Sequence, residues 1–253
     1  MSQDDKYTYP NSGGVLRNKL GLTDGASLDD AMNDFASAAW AVLSMEGTPA
    51  TFDFRYLQHI HIAMFGRIFE WSGKVRDVDT VAGNTGIVYA RPQFINDNLT
   101  DMFHELANDE SLFSTEDPAE FSMKLSAHWG YLSQIHPFRD GNTRSQSLFV
   151  SNLARAAGHP LDWRRLDVEA LRNARLSAIQ GSERVLASVL LNSITSADDG
   201  ERLFIPILRV DNSNSSGVAA PTLALQGRCG KPRQNGRGPC LRRVGEHGCP
   251  YHG

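Results

Sequence analysis

The sequence has few cysteines, no long apolar run and no basic leader segment. Its three cysteines all lie between positions 229 and 249 of the 253 residues. An odd number of cysteines in a chain without a secretory leader argues against a disulfide framework. No run of about 18 apolar residues occurs, which excludes a membrane-spanning helix. The opening segment MSQDDKYTYPNSGG is polar and acidic, which predicts a cytoplasmic protein and leaves delivery into another cell by a secretion system open.

What is present is typical of a globular protein. Hydrophobic residues make up 41% of the chain and charged residues 21%, which excludes disordered, collagen-like and coiled-coil classes. The net charge of −4 is unevenly distributed, because residues 227–253 contain six Lys or Arg and one Glu. The body is therefore acidic and unlike a nucleic-acid-binding surface, whereas the basic tail could make a weak contact with an anion such as nucleic acid.

Apolar residues at helical spacing predict an all-α body. Ser27 is the expected N-cap of a helix over 28–45, and Asp53 that of a helix over 54–68. Asp117 and Pro118 mark the expected start of another helix. The full set of predicted helices covers residues 28–45, 54–68, 93–108, 118–135, 144–158, 167–180 and 182–195, with Gly158 just past the end of the fifth.

One segment, residues 78–92, breaks the helical pattern. Two β-prone runs, VDTV and IVYA, flank AGNTG, and Asn-Thr-Gly between apolar runs is a hairpin signal. We therefore expect a two-stranded β-hairpin flap. An isolated hairpin is marginal in water, so this one should lean on the helices.

The end of the chain reads as a separate module. Residues 211–226, rich in Asn, Ser, Gly and Pro in their first part, predict a linker after a domain over 1–210. The tail, 227–253, offers three thiolates and an imidazole, which suits a tetrahedral zinc site. The expected ligands are Cys229, Cys240, Cys249 and His252, with His247 as an alternative fourth. The competing interpretation is a flexible basic tail with incidental cysteines.

The most informative motif is residues 136–147, HPFRDGNTRSQS, between two predicted helices. His136 titrates near neutrality, which suits a general base. Asp140 offers a hard oxygen for Mg²⁺. Gly141 allows close backbone approach, and Asn142 at or near the N-cap places free N–H groups where phosphate binds. Arg144 in the first turn can fork onto phosphate oxygens. Together these groups describe phosphoryl or nucleotidyl transfer to a hydroxyl.

Each residue of this motif also has an ordinary structural interpretation. A single loop histidine is more often structural than catalytic, Asp-Gly-Asn is usually a turn, and one arginine is usually a solvated charge. The combination of all of them at this spacing arises rarely by chance, which favours the functional interpretation.

His136-Pro-Phe138-Arg-Asp140-Gly141-Asn142-Thr-Arg144 resembles the signature of the Fic domain, H-x-F-x-[D/E]-G-N-G-R-x-x-R. YPNSGGVLRNKLGLTD (9–24) and FDFRYLQHIHIAMFGRIFEWSGKVRDVD (52–79) are similar to Fic modules of type IV secretion effectors and Fic toxins, and the likeness covers about residues 7–200. The resemblance implies an all-α, Mg²⁺-dependent nucleotidyltransferase that moves AMP from ATP to a hydroxyl of a target protein, as a toxin or effector.

The resemblance also implies roles for single residues. His136 would be the base, Asp140 the Mg²⁺ ligand and Phe138 a hydrophobic anchor of the loop. The nucleotide would be bound by Gly141, Asn142, Thr143 and Arg144. The flap would dock the target through Thr85, Gly86, Ile87, Val88 and Tyr89.

Two positions depart from the signature. Thr143 replaces its second Gly, which costs little if that residue is helical. Ser147 replaces its second Arg, which in the family meets the γ-phosphate and an inhibitory glutamate. Loss of a charged contact of this kind could cost about 1.5–3 kcal/mol. Ser147 therefore leaves open a different donor, with phosphoryl or phosphocholine transfer, and also a degenerate binding or scaffold protein.

The inhibitory motif of the family, [S/T]-x-x-x-E-[G/N], is missing from the sequence. Its only Glu-Gly or Glu-Asn pair is Glu46-Gly47, and Val42 stands where the hydroxyl residue belongs. By the resemblance, inhibition would come from a small antitoxin chain that supplies the glutamate. Neither the target nor the antitoxin is identified by the sequence.

Overall fold

The computed structural model describes residues 5–83 and 85–195. Regular structure in this part of the chain is helical, as expected. The helices are α1 (Gly25–Met45), α2 (Phe54–Phe65), α3 (Pro92–Ala107), α4 (Glu110–Ser114), α5 (Pro118–Ile135), α6 (Asn142–Ala156), α7 (Val168–Ile179) and α8 (Glu183–Leu191), with a 3-10 turn at Trp163–Arg165. None of the described helices is long and apolar enough to cross a bilayer.

Side-chain caps set most of the helix starts. Asp53 accepts from the Tyr56 N–H at 2.9 Å, and Asp117 from the Ala119 N–H at 3.0 Å, as predicted. The expected cap of α1 is wrong, because Asp24 rather than Ser27 fills that position. The Asp24 carboxylate accepts from the Ser27 N–H at 2.8 Å, so the helix begins three residues earlier.

The motif loop lies where two groups of helices meet. Helix α5 packs on α3, α6, α7 and α8, and α2 packs on α1 and α6. The chain turns from α5 into α6 through residues 136–141, beside the buried end of α2. Two fully buried rings lie at this junction, since Phe65 of α2 borders Gly141 and Phe138 belongs to the loop itself. The core thus fixes both ends of the motif.

The predicted two-stranded hairpin over 78–92 is wrong. The described residues of this flap form one antiparallel bridge, Val81 with Val88, and no strand. Ala82 N–H donates to the Ile87 carbonyl at 2.8 Å. The ladder extends little further because other elements take the backbone groups that would continue it. Arg76 binds the carbonyls of Val78 and Ala90, and the Ala90 N–H donates to Gln134.

Candidate active site

His136 ends α5 in a left-handed backbone conformation. Its φ is 48° and its ψ 63°, and its N–H donates to the Leu132 carbonyl at 3.0 Å. Its own carbonyl accepts from Nε of Arg76 at 2.8 Å. A residue with a Cβ rarely adopts a positive φ, and strained backbone of this kind concentrates at functional sites. These backbone bonds hold His136 at the point where the helix becomes the loop.

The imidazole of His136 is kept neutral by its surroundings. Burial, together with the charges of Arg76 and Arg175, holds its pKa well below the ordinary value. Nδ1 is buried and has no hydrogen-bond partner among the described residues. The Tyr89 ring covers one face of the imidazole, with centroids 3.6 Å apart and planes 7° from parallel. A neutral ring can accept a proton, and an anion bound nearby would raise its pKa.

The loop is closed by the side chain of Asn142. Its Oδ1 accepts from the Phe138 N–H at 2.9 Å, and its Nδ2 donates to the Phe138 carbonyl at 2.8 Å. The Phe138 ring is fully buried, as expected for an anchor, and lies 3.9 Å from the His61 ring centroid. Both ends of the Asn142 amide are thus bonded to the backbone of Phe138. The N-cap itself is Gly141.

His61 supports the loop from α2. Its Nδ1 accepts from the Gly73 N–H at 3.0 Å, which places the ring proton on Nε2. Nε2 donates to the Asp140 carbonyl at 2.8 Å. Burial lowers the pKa of His61 to about 4. These bonds make His61 a structural support of the loop. Through the bond from Nε2 it fixes the backbone of Asp140, whose Oδ1 accepts from the Gly141 N–H.

Gly141 is required at its position by the packing of α2. Its φ is 77°, and an added Cβ would lie 2.4 Å from Cε2 of the buried Phe65 ring. No side chain caps α6, whose first internal bond joins the Ser145 N–H to the Gly141 carbonyl. The N–H groups of residues 142–144 therefore precede the helical ladder. Together they form the positive end of the α6 dipole, which favours an anion.

Arg144 is buried rather than solvated. Its Nε and Nη2 donate to Oδ1 of Asn33, on α1, at 3.1 and 2.8 Å. Burial lowers the pKa of Arg144, and the nearby carboxylates of Asp140 and Asp29 act in the opposite direction. A neutral amide holds the guanidinium in place without cancelling its charge, which leaves the charge available to a phosphate.

The departures from the signature lie on α6. Thr143 is helical, so its side chain costs no strained backbone, and its Oγ1 accepts from Nη1 of Arg175 at 2.8 Å. Ser147 is completely buried, and its Oγ has no hydrogen-bond partner among the described residues. The position of the second signature arginine therefore carries neither a charge nor a protein partner.

Arg76 joins the flap to the loop. Its guanidinium donates to the carbonyls of Val78 and Ala90 at the two ends of the flap, at 2.7 and 2.5 Å. It also donates to the carbonyls of Ile135 and His136. Of the five predicted docking residues, Tyr89 faces the loop through its stack on His136. The other four, Thr85, Gly86, Ile87 and Val88, form the turn.

The structure brings the predicted loop residues together, and it adds residues that the sequence did not single out. Asn33, His61, Arg76 and Arg175 all contact the loop or its neighbours from distant positions. Only the Trp-Ser-Gly-Lys-Val-Arg turn at 71–76 gave a signal for one of them. Within the described ranges, no three Asp, Glu, His or Cys side chains form a metal cage. The predicted zinc ligands, the linker and the domain boundary at 210 lie outside the described residues.

Comparison with known proteins places the loop in a recognised family. The family model described as the Fic/DOC family matches residues 51–154. The protein adenylyltransferase VbhT of Bartonella schoenbuchensis is 31% identical over 192 residues, which are 76% of this chain and 39% of VbhT. The chain thus corresponds to about two fifths of that relative. The probable protein adenylyltransferase y4lH of Sinorhizobium fredii is 30% identical over 76% of this chain and 96% of its own length.

A solved structure gives the same result for the fold. The N-terminal Fic domain of a VirB-translocated effector protein from Bartonella sp. AR 15-3 superposes with a TM-score of 0.70 at 29% identity. The superposition covers 75% of this chain and 91% of that domain. The family match includes the whole loop, all of α5 and α6 as far as residue 154, and the alignment with y4lH spans 96% of that relative. The chain therefore belongs to the Fic/DOC family.

Proposed function

We propose that this protein is an adenylyltransferase that moves AMP from ATP onto a hydroxyl side chain of a target protein. One observation carries the proposal: residues 136–144 gather a neutral imidazole, a carboxylate, an uncapped helix start and a buried guanidinium. The names of VbhT and y4lH, a protein adenylyltransferase and a probable one, support it.

His136 would act as the general base. The hydroxyl oxygen of the target attacks the α-phosphorus of ATP and its proton passes to the imidazole, through Nε2 because Nδ1 is buried. The new bond joins the target oxygen to the α-phosphorus, and the bond from that phosphorus to the bridging oxygen breaks. Pyrophosphate leaves with the electron pair. The hydrogen bonds on either side of His136 keep the imidazole in place for this transfer.

The negative charge of the phosphates would be met by groups already in position. The N–H groups at the start of α6 point out of the helix with its dipole behind them, and Arg144 is held by Asn33. Such preorganised donors require no rearrangement during the reaction. The side chain of Asn142, through its two bonds to the Phe138 backbone, keeps the loop in the shape that exposes these donors.

The carboxylate of Asp140 fits the requirements of Mg²⁺. It is partly exposed, and Mg²⁺ is usually held by one or two carboxylates together with substrate phosphates. When bound, the ion would neutralise phosphate charge in the transition state. His61 sets the backbone position of Asp140 and so determines where this ligand stands.

The flap would form one wall of the target site. Its exposed residues Thr85 and Val88 are available to a protein partner, and Tyr89 lies against His136. An extended segment of the target placed along this turn would bring its hydroxyl to the imidazole. The location of such a target, in the producing cell or in a cell reached by secretion, follows only from the relatives and stays a proposal.

Regulation would come from a separate chain. Glu46, the only glutamate followed by Gly or Asn, is the C-cap of α1, and its carboxylate lies 3.6 Å from Nε2 of exposed His59. An antitoxin that supplies the family's glutamate would meet Ser147 in place of an arginine. Its glutamate would then need another cationic partner near the nucleotide.

A second candidate activity is transfer from a different donor. The observation that favours it is Ser147, buried and uncharged where the signature has arginine. A phosphoryl or phosphocholine donor could bind without a contact at the position of Ser147. A scaffold protein without chemistry fits less well, because it would need neither the strained His136 nor the carboxylate of Asp140.

The decisive experiment is transfer from labelled ATP into a lysate, with the adduct mass read by mass spectrometry. His136→Ala should abolish labelling and leave ATP binding within about threefold of the wild type, because the imidazole moves a proton and binds no phosphate. His59→Ala, an exposed histidine on α2, is the matched control and should label normally. Equal labelling by both variants would contradict the assignment, and an adduct of another mass would favour the second candidate.

The tail proposal concerns residues that the structure does not describe. One Zn²⁺ would be held by four ligands, Cys229, Cys240, Cys249 and His252. Because this segment contains few apolar residues, the metal would supply the free energy for its folding. Metal analysis of protein purified without chelator should find about one zinc per chain, and Cys249→Ser should release it. Metal-free wild-type protein would favour the flexible-tail interpretation.

A further inference from the structure

Three buried arginines lie around the loop, and one of them, Arg175, keeps unused donors and has no carboxylate partner among the described residues. Arg76 gives four hydrogen bonds to backbone carbonyls, and Arg144 lies near the carboxylates of Asp140 and Asp29. Arg175, on α7, is only 6% exposed, yet no Asp or Glu of the described part of the chain forms an ion pair with it.

The partners of Arg175 are all neutral. Nε donates to Ser133 Oγ at 3.1 Å, Nη1 to Thr143 Oγ1 at 2.8 Å, and Nη2 to Gln146 Oε1 at 3.1 Å. Its cation also lies 5.4 Å from the centroid of the Trp129 ring. These bonds use three of its five N–H groups, so Nη1 and Nη2 each keep one donor. The guanidinium is therefore oriented but not neutralised.

A buried cation without an anion is costly. Buried charges in proteins are normally paired, and an uncompensated one destabilises the folded state. Burial lowers the pKa of Arg175 to about 10, and the group that acts in the opposite direction is the Tyr89 phenol rather than a carboxylate of the described residues. The side chain is still charged at neutral pH. An anion bound beside the guanidinium would offset the cost of burying its charge.

The position of Arg175 indicates which anion. Thr143 and Ser147 are four residues apart, so they lie on the same face of α6, and Gln146 adjoins them. Arg175 contacts Thr143 and Gln146 and thus lies along the face that Ser147 leaves uncharged. Thr143 also belongs to the uncapped first turn, where the phosphates would bind. The charge of Arg175 reaches His136 as well, since it helps to lower the pKa of that imidazole.

We propose that Arg175 is the second phosphate-binding cation of this site, supplied by α7 on the helix face where α6 carries Ser147. The proposal rests on the proposed function for the identity of the ligand as a nucleotide. It also identifies Arg175 as the group that a regulatory glutamate would meet in place of residue 147. On this proposal the positive charge that the signature places at position 147 of α6 is not lost but is supplied by α7.

The test measures binding rather than transfer, so that the two proposals can fail separately. The probes are ATP, tripolyphosphate and uncharged adenosine, titrated against the full chain by calorimetry or ligand-observed NMR. Arg175→Met should weaken ATP and tripolyphosphate about tenfold to a hundredfold, the effect of losing hydrogen bonds to a charged group. Adenosine should change by less than about threefold. Arg184→Met, which removes an exposed arginine of α8, is the matched control and should leave all three unchanged.

A charge exchange separates binding from a purely structural role. Arg175→Ser combined with Ser147→Arg should regain most of the affinity for ATP and tripolyphosphate, because the guanidinium returns to the same helix face through the space that residue 175 vacates. If Arg175 only held Thr143 and Gln146 in place, the exchange would not restore those hydrogen bonds and the affinity would stay low. Thermal unfolding of each variant and of Arg175→Lys, which keeps the charge, shows whether the fold is intact.

Each outcome decides the matter. Equal weakening of adenosine and the anions, with no recovery in the exchanged variant, overturns the proposal and leaves Arg175 as a structural residue. A wild-type protein that binds neither ATP nor tripolyphosphate also overturns it. Tripolyphosphate binding that depends on Arg175, in a protein that never transfers AMP, supports the cation site and refutes only the adenylyltransferase function.

Discussion

Gly141 gives the sharpest test of how the loop is built. Replacing it with alanine adds one Cβ that would lie 2.4 Å from Cε2, 2.8 Å from Cδ2 and 2.9 Å from Cζ of Phe65. That ring is fully buried in the core and has little room to move. The variant also places a side chain at a φ of 77°. Two separate costs are therefore expected.

The magnitudes can be assigned to each cost. A left-handed backbone conformation costs a residue with a Cβ about 1–2 kcal/mol. Forcing extra volume into a packed core costs about 1–3 kcal/mol. Gly141→Ala should therefore lower the free energy of unfolding by about 2–5 kcal/mol. The displaced start of α6 should also weaken ATP binding, because the N–H groups of residues 142–144 would no longer converge.

Gly158 provides the matched control. Gly158 lies just after the end of α6, whereas Gly141 lies just before its start. The φ of Gly158 is 82°, and a Cβ added there would meet nothing within 4 Å. Gly158→Ala should carry the conformational cost alone, about 1–2 kcal/mol. Urea unfolding gives the loss of unfolding free energy in each variant, and the difference between the two losses is the cost of the clash with Phe65. Phe65→Leu should relieve that difference in a double-mutant cycle by about 1–3 kcal/mol. If Gly141→Ala destabilises no more than Gly158→Ala, the account of the loop's packing is refuted.

Two further predictions concern side chains that support the loop. The pKa of His61 is about 4 in the folded protein and about 6.5 in the unfolded chain, so the unfolded chain binds a proton first as the pH falls. The free energy of unfolding should therefore decrease between pH 6.5 and pH 4, by up to about 1.4 kcal/mol per pH unit. His61→Gln should reduce the slope of unfolding free energy against pH by that amount, and an unchanged slope would contradict the buried neutral ring. Asn33→Asp should place a carboxylate on Arg144 and weaken ATP about tenfold, as a charged rival for the guanidinium. Asn33→Ser, which stays neutral, is its control in the same calorimetric titration, and equal affinities in the two variants would show that Arg144 meets no phosphate.

The sequence was sufficient for the parts of the fold that depend on neighbouring residues. Caps such as Asp53 and Asp117, and the glycine after α6, act within a few positions and were predicted correctly. Helices α2, α5 and α6 follow from apolar spacing in the same way. The cap of α1 was placed three residues late, because Asp24 and Ser27 are both good caps and only the packed helix selects one.

The hairpin and the supports of the loop depend on contacts between distant positions. Local propensity favours strands over 78–92, but Arg76 takes the carbonyls that a ladder would need. The bonds from His61 to Asp140 and from Arg175 to Thr143 join residues 79 and 32 positions apart. No spacing rule connects such pairs, since tertiary packing alone brings them together. Asn33 is a further case, because its partner Arg144 is 111 positions away.

The hydrogen bonds of Arg76 have a consequence for how freely the sequence of the flap can vary. All four acceptors are main-chain carbonyls, which every amino acid possesses. Substitutions at the turn of the flap, from Thr85 to Val88, therefore leave the attachment of the flap to His136 intact. If the flap docks a target as proposed, recognition of that target can change by mutation while the position of the proposed base is inherited unaltered. A library of variants restricted to these four positions should accordingly yield folded proteins that differ in target choice.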